Sequence, residues 1–343
     1  VSLFTRSRRT PLSDVDVVLA DLDGVVYAGA GAIPYAIDSL KQVEATRRLG
    51  YITNNASRTD ASVAAHLSEL GLTVAPDEVV TSPQAAMRLV SGLIPAGSTI
   101  LVVGGEGLVH EVRKAGFEVT RSADDAPAAV VQGFAPEVGW SDLAEAAFAL
   151  KVPENEGGIP WIATNTDWTI PQSRGVAPGN GTLVSAVHTA IGRLATVAGK
   201  PETPIFEEAV ARFGAKHPLF IGDRLDTDIA GASRAGIESA LVLTGIDRPK
   251  HVLAAAEGQR PTYILGDLRE LHEPYPEVKV TGDTVTVRDA AVRVDGVDVT
   301  ILREGDRPID LVRAGAEAIW RTGRQIFGFR VPERLYADPF HRP

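Results

Sequence analysis

The chain has 343 residues, no cysteine, 44% hydrophobic and 23% charged residues, and a formal net charge of −10. That length predicts two or three domains. The missing cysteine excludes disulfides, thiolate catalysis and Cys-ligated zinc, and the acidic balance argues against a nucleic-acid surface because nothing offsets phosphate repulsion. No apolar stretch approaches the about 18 residues that a membrane span needs. The basic segment Arg6-Ser7-Arg8-Arg9-Thr10 lacks the apolar run and cleavage site of a secretory signal. The expectation is a cytoplasmic protein with neither nucleic-acid nor membrane partners; a homo-oligomeric state is not legible in the sequence.

In chain order, Val15-Asp16-Val17-Val18-Leu19-Ala20 reads as a buried strand and delivers Asp21-Leu22-Asp23-Gly24 at its end. Two carboxylates one residue apart, with a glycine releasing the backbone, can hold a hard cation beside a nucleophile. The plain alternative is an Asx turn. The Gly-rich stretch 25–34 is a hairpin flap or a flexible loop. Residues 36–49 carry a helical pattern ending at Gly50, and Tyr51-Ile52 then runs into Thr53-Asn54-Asn55 as a right-handed strand–helix–strand unit. A further helix begins near Ser57.

From about Pro83 to Ala177 the α/β pattern starts afresh. Ile100–Val103, Ala129–Val131 and Trp161–Ala163 are predicted strands, helices lie near 106–115 and 141–150, and Trp140 reads as part of this block's core, with a substrate platform as the alternative. Leu183–Leu194 is a predicted helix. Thr196-Val197-Ala198 then leads to Gly199-Lys200-Pro201, and Leu219-Phe220-Ile221 to Gly222-Asp223-Arg224-Leu225-Asp226-Thr227-Asp228. A last helix, strand and turn run through Leu241–Gly245. After a linker at Glu273-Pro274-Tyr275-Pro276 come two hairpins, one turning at Gly282-Asp283 and one at Asp295-Gly296 as a type I′ pair, and a helix from Pro308 to Thr322.

Four strands thus end in carboxylates, a hydroxyl, amides and a lysine. In open parallel α/β sheets such ends converge on one crevice, which predicts a phosphate-and-metal site. Singly, each motif has an ordinary reading: Asp223 as a helix N-cap, Lys200 as a solvated surface charge.

Together, Asp21-Leu22-Asp23-Gly24-Val25, Ile52-Thr53-Asn54-Asn55, Gly199-Lys200-Pro201 and Gly222-Asp223-Arg224-x-x-Thr227-Asp228 resemble the four ordered motifs of the haloacid dehalogenase superfamily. The Thr-Asn-Asn form and the long gap before Gly-Lys-Pro resemble its large-cap branch of nitrophenyl-phosphatase and phosphoglycolate-phosphatase type, and, more closely, glycerol-3-phosphate phosphatases with a C-terminal extension. The resemblance spans roughly residues 14–268. It implies an α/β fold: a Rossmann-like core in 1–82 and 178–272, an inserted α/β cap in 83–177, and a small α+β unit in 275–343. That last unit also resembles part of an acetyltransferase fold, although about 70 residues are too few for a whole one and no acyl-carrier pyrophosphate loop is visible.

The resemblance implies a phosphomonoesterase for a small phosphorylated metabolite, glycerol 3-phosphate first, with phosphoglycolate, pyridoxal phosphate, a nucleotide or a sugar phosphate as alternatives. Asp21 is the implied nucleophile and Asp23 the acid and base. Mg²⁺ is held by Asp21, the Asp23 carbonyl and Asp223, with Asp228 orienting a bound water in preference to Asp226. Thr53, Asn54 and Lys200 bind the phosphoryl group, aided by the positive end of the helix near Ser57, and Asn55 supports the loop or borders the substrate. Cap contacts are expected from Asn165 in Thr164-Asn165-Thr166-Asp167, Arg174 in Gln172-Ser173-Arg174, and Pro178-Gly179-Asn180-Gly181. Gly133-Phe134-Ala135 departs from relatives that carry an Asp there.

Overall fold

The computed structural model describes residues 9–172 and 174–339. Part of the basic N-terminal segment (6–8) and Ser173 lie outside them. The chain divides into two compact units: one formed by Val1–Leu49 with Ala215–Pro343, the other by Gly50–Gly214. Among the described residues no helix is long and apolar enough to cross a membrane. The expected α/β fold is present.

In the first unit Val17–Ala20, Pro218–Gly222, Glu238–Val242 and Tyr263–Leu265 pair side by side, all parallel. Val17–Ala20 is buried at every position, as a strand covered on both faces must be. The helix after it is shorter than its hydrophobic pattern: it covers Ala36–Glu44, and Arg48–Thr53 is already strand, with Gly50 inside it. The Arg47 N–H turns back to the Val43 carbonyl at 2.8 Å and Arg47 Nε donates to the Val15 carbonyl at 3.1 Å, so tertiary contact ends the helix early. Tyr27–Ala28 and Gly31–Ala32 form the short hairpin that the Gly-rich stretch allowed.

The C-terminal stretch belongs to the same unit. Strands Val278–Thr281, Thr284–Val287, Ala290–Asp295 and Asp298–Arg303 form an antiparallel meander, and helix Pro308–Trp320 buries Ile309, Val312 and Ile319. These residues share one apolar core with Val285, Val287 and Val292 of the meander and with Leu241, Val252, Leu253 and Ile264 upstream. The second hairpin differs from its sequence reading. Asp295 pairs with Asp298, so the turn residues are Gly296-Val297. Only Gly296 has positive φ (59°), which fits a type II′ turn and not the type I′ that needs two such residues.

The second unit holds a five-stranded parallel sheet in the order Thr196–Val197, Trp161–Ala163, Ala129–Gln132, Thr99–Val103, Glu118–Thr120. Helices Trp140–Ala149 and Asn180–Ile191 contribute Ala146, Val184 and Val187, and Leu150 directly after the first helix joins them, in a core with Leu101, Val103, Val130 and Trp161. The strand preceding Gly199-Lys200-Pro201 therefore pairs within this sheet. Trp140 is not core: it is 81% exposed at the first turn of its helix. The helix expected near Ser57 begins at Asp60, capped by the Thr59 hydroxyl, which accepts the Ser62 N–H at 3.2 Å.

Candidate active site

Asp21 lies one step beyond strand Val17–Ala20, its N–H donated to the Ile221 carbonyl at 2.8 Å. Gly24 at φ 82° turns the chain, and its N–H reaches back to the Tyr27 carbonyl at 2.9 Å. That turn leaves the Asp21 side chain buried and the Asp23 side chain exposed. Asp223 follows the adjacent strand Pro218–Gly222, and Asp228 lies in the helical turn Leu225–Ile229. Asp21, Asp223 and Asp228 each offer a carboxylate oxygen within 4.8 Å of the others, at 8%, 1% and 0% exposure.

The loop around these groups is built for close approach. A Cβ on Gly24 would stand 2.2 Å from Asp223 Oδ2, and one on Gly245 1.9 Å from it. The Ile246 N–H donates to that oxygen at 2.6 Å, and the Thr244 hydroxyl donates to the Gly24 carbonyl at 2.7 Å. Asp228 Oδ2 accepts the N–H groups of Asp223 and Arg224, both at 3.1 Å. Asp226 instead pairs outward with Arg224, at 2.8 Å. The contribution of Thr244, Gly245 and Ile246 was not read from the sequence; the Thr-Gly pair directly after an apolar strand was the available signal.

Three carboxylates this close and this buried repel one another unless a cation lies between them. An all-oxygen set with few protein donors suits Mg²⁺, which keeps several waters. The residues present therefore fit the implied metal. The Asp23 carboxylate lies outside the cluster and is exposed.

In the second unit, Asn54 Oδ1 accepts the Lys200 N–H at 2.8 Å while Asn54 Nδ2 donates to the Lys200 carbonyl at 3.0 Å. Nδ2 also lies 3.3 Å from both Asp167 carboxylate oxygens. A Cβ on Gly199 would stand 2.6 Å from Asn54 Oδ1 and 2.5 Å from the Thr164 carbonyl, so glycine is required before the lysine. Lys200 is 4% exposed. Thr53 Oγ1 accepts the Asn55 N–H at 3.1 Å, and Asn55 Oδ1 accepts from Ser57 N–H at 2.9 Å. Asn165 is buried, its amide donating to the Asn54 carbonyl at 2.8 Å, and Asn180 Nδ2 donates to the Asn165 carbonyl at 2.7 Å. Arg174 is exposed beside the turn joining Thr169–Gln172 to Gly175–Pro178.

Residues 18–118 match the model of the haloacid dehalogenase-like hydrolases, and residues 197–271 match a second hydrolase model of that kind. The chain belongs to the haloacid dehalogenase-like hydrolase family. It is 44% identical over 317 residues to the D-glycerol 3-phosphate phosphatase of Mycobacterium tuberculosis, covering 90% of this chain and 86% of that protein. A glycerol phosphate phosphatase of the same organism, solved in complex with magnesium, superposes with a TM-score of 0.82 at 42% identity over 91% of this chain and 92% of that one. The p-nitrophenyl phosphatase of Archaeoglobus fulgidus has a TM-score of 0.69 at 28% identity, covering 76% and 98%.

Proposed function

We propose that this hydrolase is a Mg²⁺-dependent phosphatase of glycerol 3-phosphate. The observation that carries the catalytic reading is the buried cluster of Asp21, Asp223 and Asp228 at two strand ends. The substrate reading is supported by the 44% identical relative named for that activity, whose likeness extends over nine-tenths of this chain.

Asp21 attacks phosphorus and forms an aspartyl phosphate, while Asp23 donates its proton to the departing glycerol oxygen. Asp23 then takes a proton from the water that attacks the acyl phosphate, which frees inorganic phosphate and restores Asp21. Thr53, the Asn54 N–H and Lys200 hold the phosphoryl oxygens, and the Asn54 side chain keeps the Lys200 peptide in place. Asp21, Asp223 and the Asp23 carbonyl would hold Mg²⁺, with Asp228 placed to orient a water beside it. Bound there, the ion offsets the repulsion between a carboxylate nucleophile and a phosphate dianion.

The test is phosphate release from both enantiomers of glycerol 3-phosphate, set beside phosphoglycolate, pyridoxal phosphate, nucleotides and sugar phosphates. Glycerol 3-phosphate should give the highest kcat/KM. A higher value for another member of that set overturns the substrate, and no release from any of them overturns the activity.

A further inference from the structure

Two sheet edges in the first unit are treated differently. At Tyr263–Leu265 the outward groups of Ile264 are occupied: its N–H donates to the Tyr275 hydroxyl at 2.9 Å and its carbonyl accepts from Arg313 Nε at 2.8 Å. Among the described residues, strand Val278–Thr281 has no such cover: its one neighbouring strand there is Thr284–Val287, and all four of its residues are exposed.

The hairpin fixes which backbone groups face outward. Thr281 and Thr284 flank the two-residue turn Gly282-Asp283, which makes them a hydrogen-bonded pair, and such pairs recur at every second residue. Lys279 therefore turns its N–H and C=O toward Thr286, while Val278 and Val280 turn theirs away from the sheet. Pro276, which lacks an N–H, falls at the next outward position, where proline is tolerated. Val278 and Val280 stand across from Val287 and Val285, both buried in the core shared with helix Pro308–Trp320. At 39% and 41% exposure they carry that apolar row beyond the core.

We propose that this edge pairs with the same edge of a second copy of the chain, antiparallel, about a two-fold axis at Val278. A ladder forms only where outward groups meet outward groups, which leaves four registers, centred on Glu277, Val278, Lys279 or Val280. Centring on Glu277 or on Lys279 sets like charges face to face. Centring on Val280 sets Glu277 against Asp283. Centring on Val278 sets Glu277 against Lys279 of the other copy, twice by symmetry, both side chains being exposed. The other face then pairs Val278 with Val278 and Pro276 with Val280. The two Val278 residues exchange two backbone bonds, and each Val280 N–H meets the Pro276 carbonyl of the other copy. An open edge with this pattern selects its own copy in one register.

Sedimentation velocity over a concentration series tests this on the full-length protein. The parent should show a monomer–dimer equilibrium. Glu277→Lys and Lys279→Glu should each weaken it about tenfold or more, because two attractive cross-strand pairs become two like-charge pairs. An equimolar mixture of the two variants should recover parental affinity, since one chain then supplies both cations and the other both carboxylates. Circular dichroism on dilute protein shows whether the variants keep the parental fold. A parent that stays monomeric, folded single variants that associate as the parent does, or a mixture no tighter than either variant alone overturns the proposal.

Discussion

Arg313 of helix Pro308–Trp320 donates Nε to the Ile264 carbonyl at 2.8 Å, joining the C-terminal helix to an outer strand of the parallel sheet. The same guanidinium bonds Asp310 Oδ1 at 2.8 Å and Glu270 Oε2 at 2.7 Å and lies 4.6 Å from the centre of the Tyr275 ring. With Arg313 4% exposed, this is a buried ion network whose members satisfy one another.

Arg313→Met should therefore cost about 1–3 kcal/mol, because Asp310 and Glu270 lose a buried cation but keep Arg288 and Arg307 as partners. Removal of residues 275–343 should do more, since it strips cover from Val252, Leu253 and Ile264. Calorimetry should show both proteins melting below the parent. A truncated chain that keeps the parental melting temperature, with the 275–343 fragment folded by itself, would falsify the docking described above.

Asp21→Asn should reduce phosphate release by about 10³-fold or more, since an amide cannot form the covalent intermediate. The same change removes one of three crowded carboxylate charges, so in chelator the variant should melt at or above the parental temperature. Parental turnover in the variant rules out Asp21 as nucleophile. Full activity of the parent after exhaustive chelation rules out the metal requirement.

Gly245→Ala places a methyl group where Asp223 Oδ2 already stands, 1.9 Å away. Gly258 has nothing within 4 Å of the corresponding position. The first substitution should raise the Mg²⁺ concentration needed for half-maximal activity by about tenfold or more, and Gly258→Ala should leave it unchanged. Equal Mg²⁺ dependence in the two variants would show that the wall around Asp223 is not needed.

Asp60 is subject to opposing influences. Burial pushes its carboxyl up, but Lys114 Nζ at 2.7 Å and the Ala61 N–H at 2.7 Å bring it below the ordinary 3.8. A carboxylate held low in the folded state adds stability above pH 3.8 that disappears as pH falls through the lower folded value. Lys114 is half exposed, so Lys114→Met should cost about 1 kcal/mol at pH 7. The deficit should shrink as pH falls below 3.8 toward the lower folded value, where the Asp60 charge is neutralised. Urea melts at pH 7 and pH 3 check this; a pH-independent deficit would assign the loss to packing.

The strand ends bearing Asp21 and Asp223 were legible because buried strands are continuous apolar runs and their polar terminations stand out. The extent of helix Ala36–Glu44 was not, since Leu49 continues its period and only the contacts of Arg47 end it. The turn at Gly296-Val297 was misplaced by one residue because Asp-Gly is itself a turn signal and the pairing of Asp295 with Asp298 overrides it. Trp140 was placed in the core ahead of a substrate-platform reading, yet its place in the first turn of a helix leaves it in solvent. The bonds from Asn54 to Lys200 join positions 146 apart, beyond anything local periodicity reports.

Strand Val17–Ala20 has its parallel neighbour in Pro218–Gly222, about 200 residues later. At a synthesis rate of roughly 5–20 residues per second, that neighbour emerges about 10–40 s after the strand itself. The unit Gly50–Gly214 is then already fully translated. The order of birth is thus the reverse of the order of completion: the middle of the chain can fold while its beginning waits. Asp21 leaves the ribosome long before Asp223 and Asp228, so a nascent chain cannot bring the three carboxylates together until residue 228 has been made.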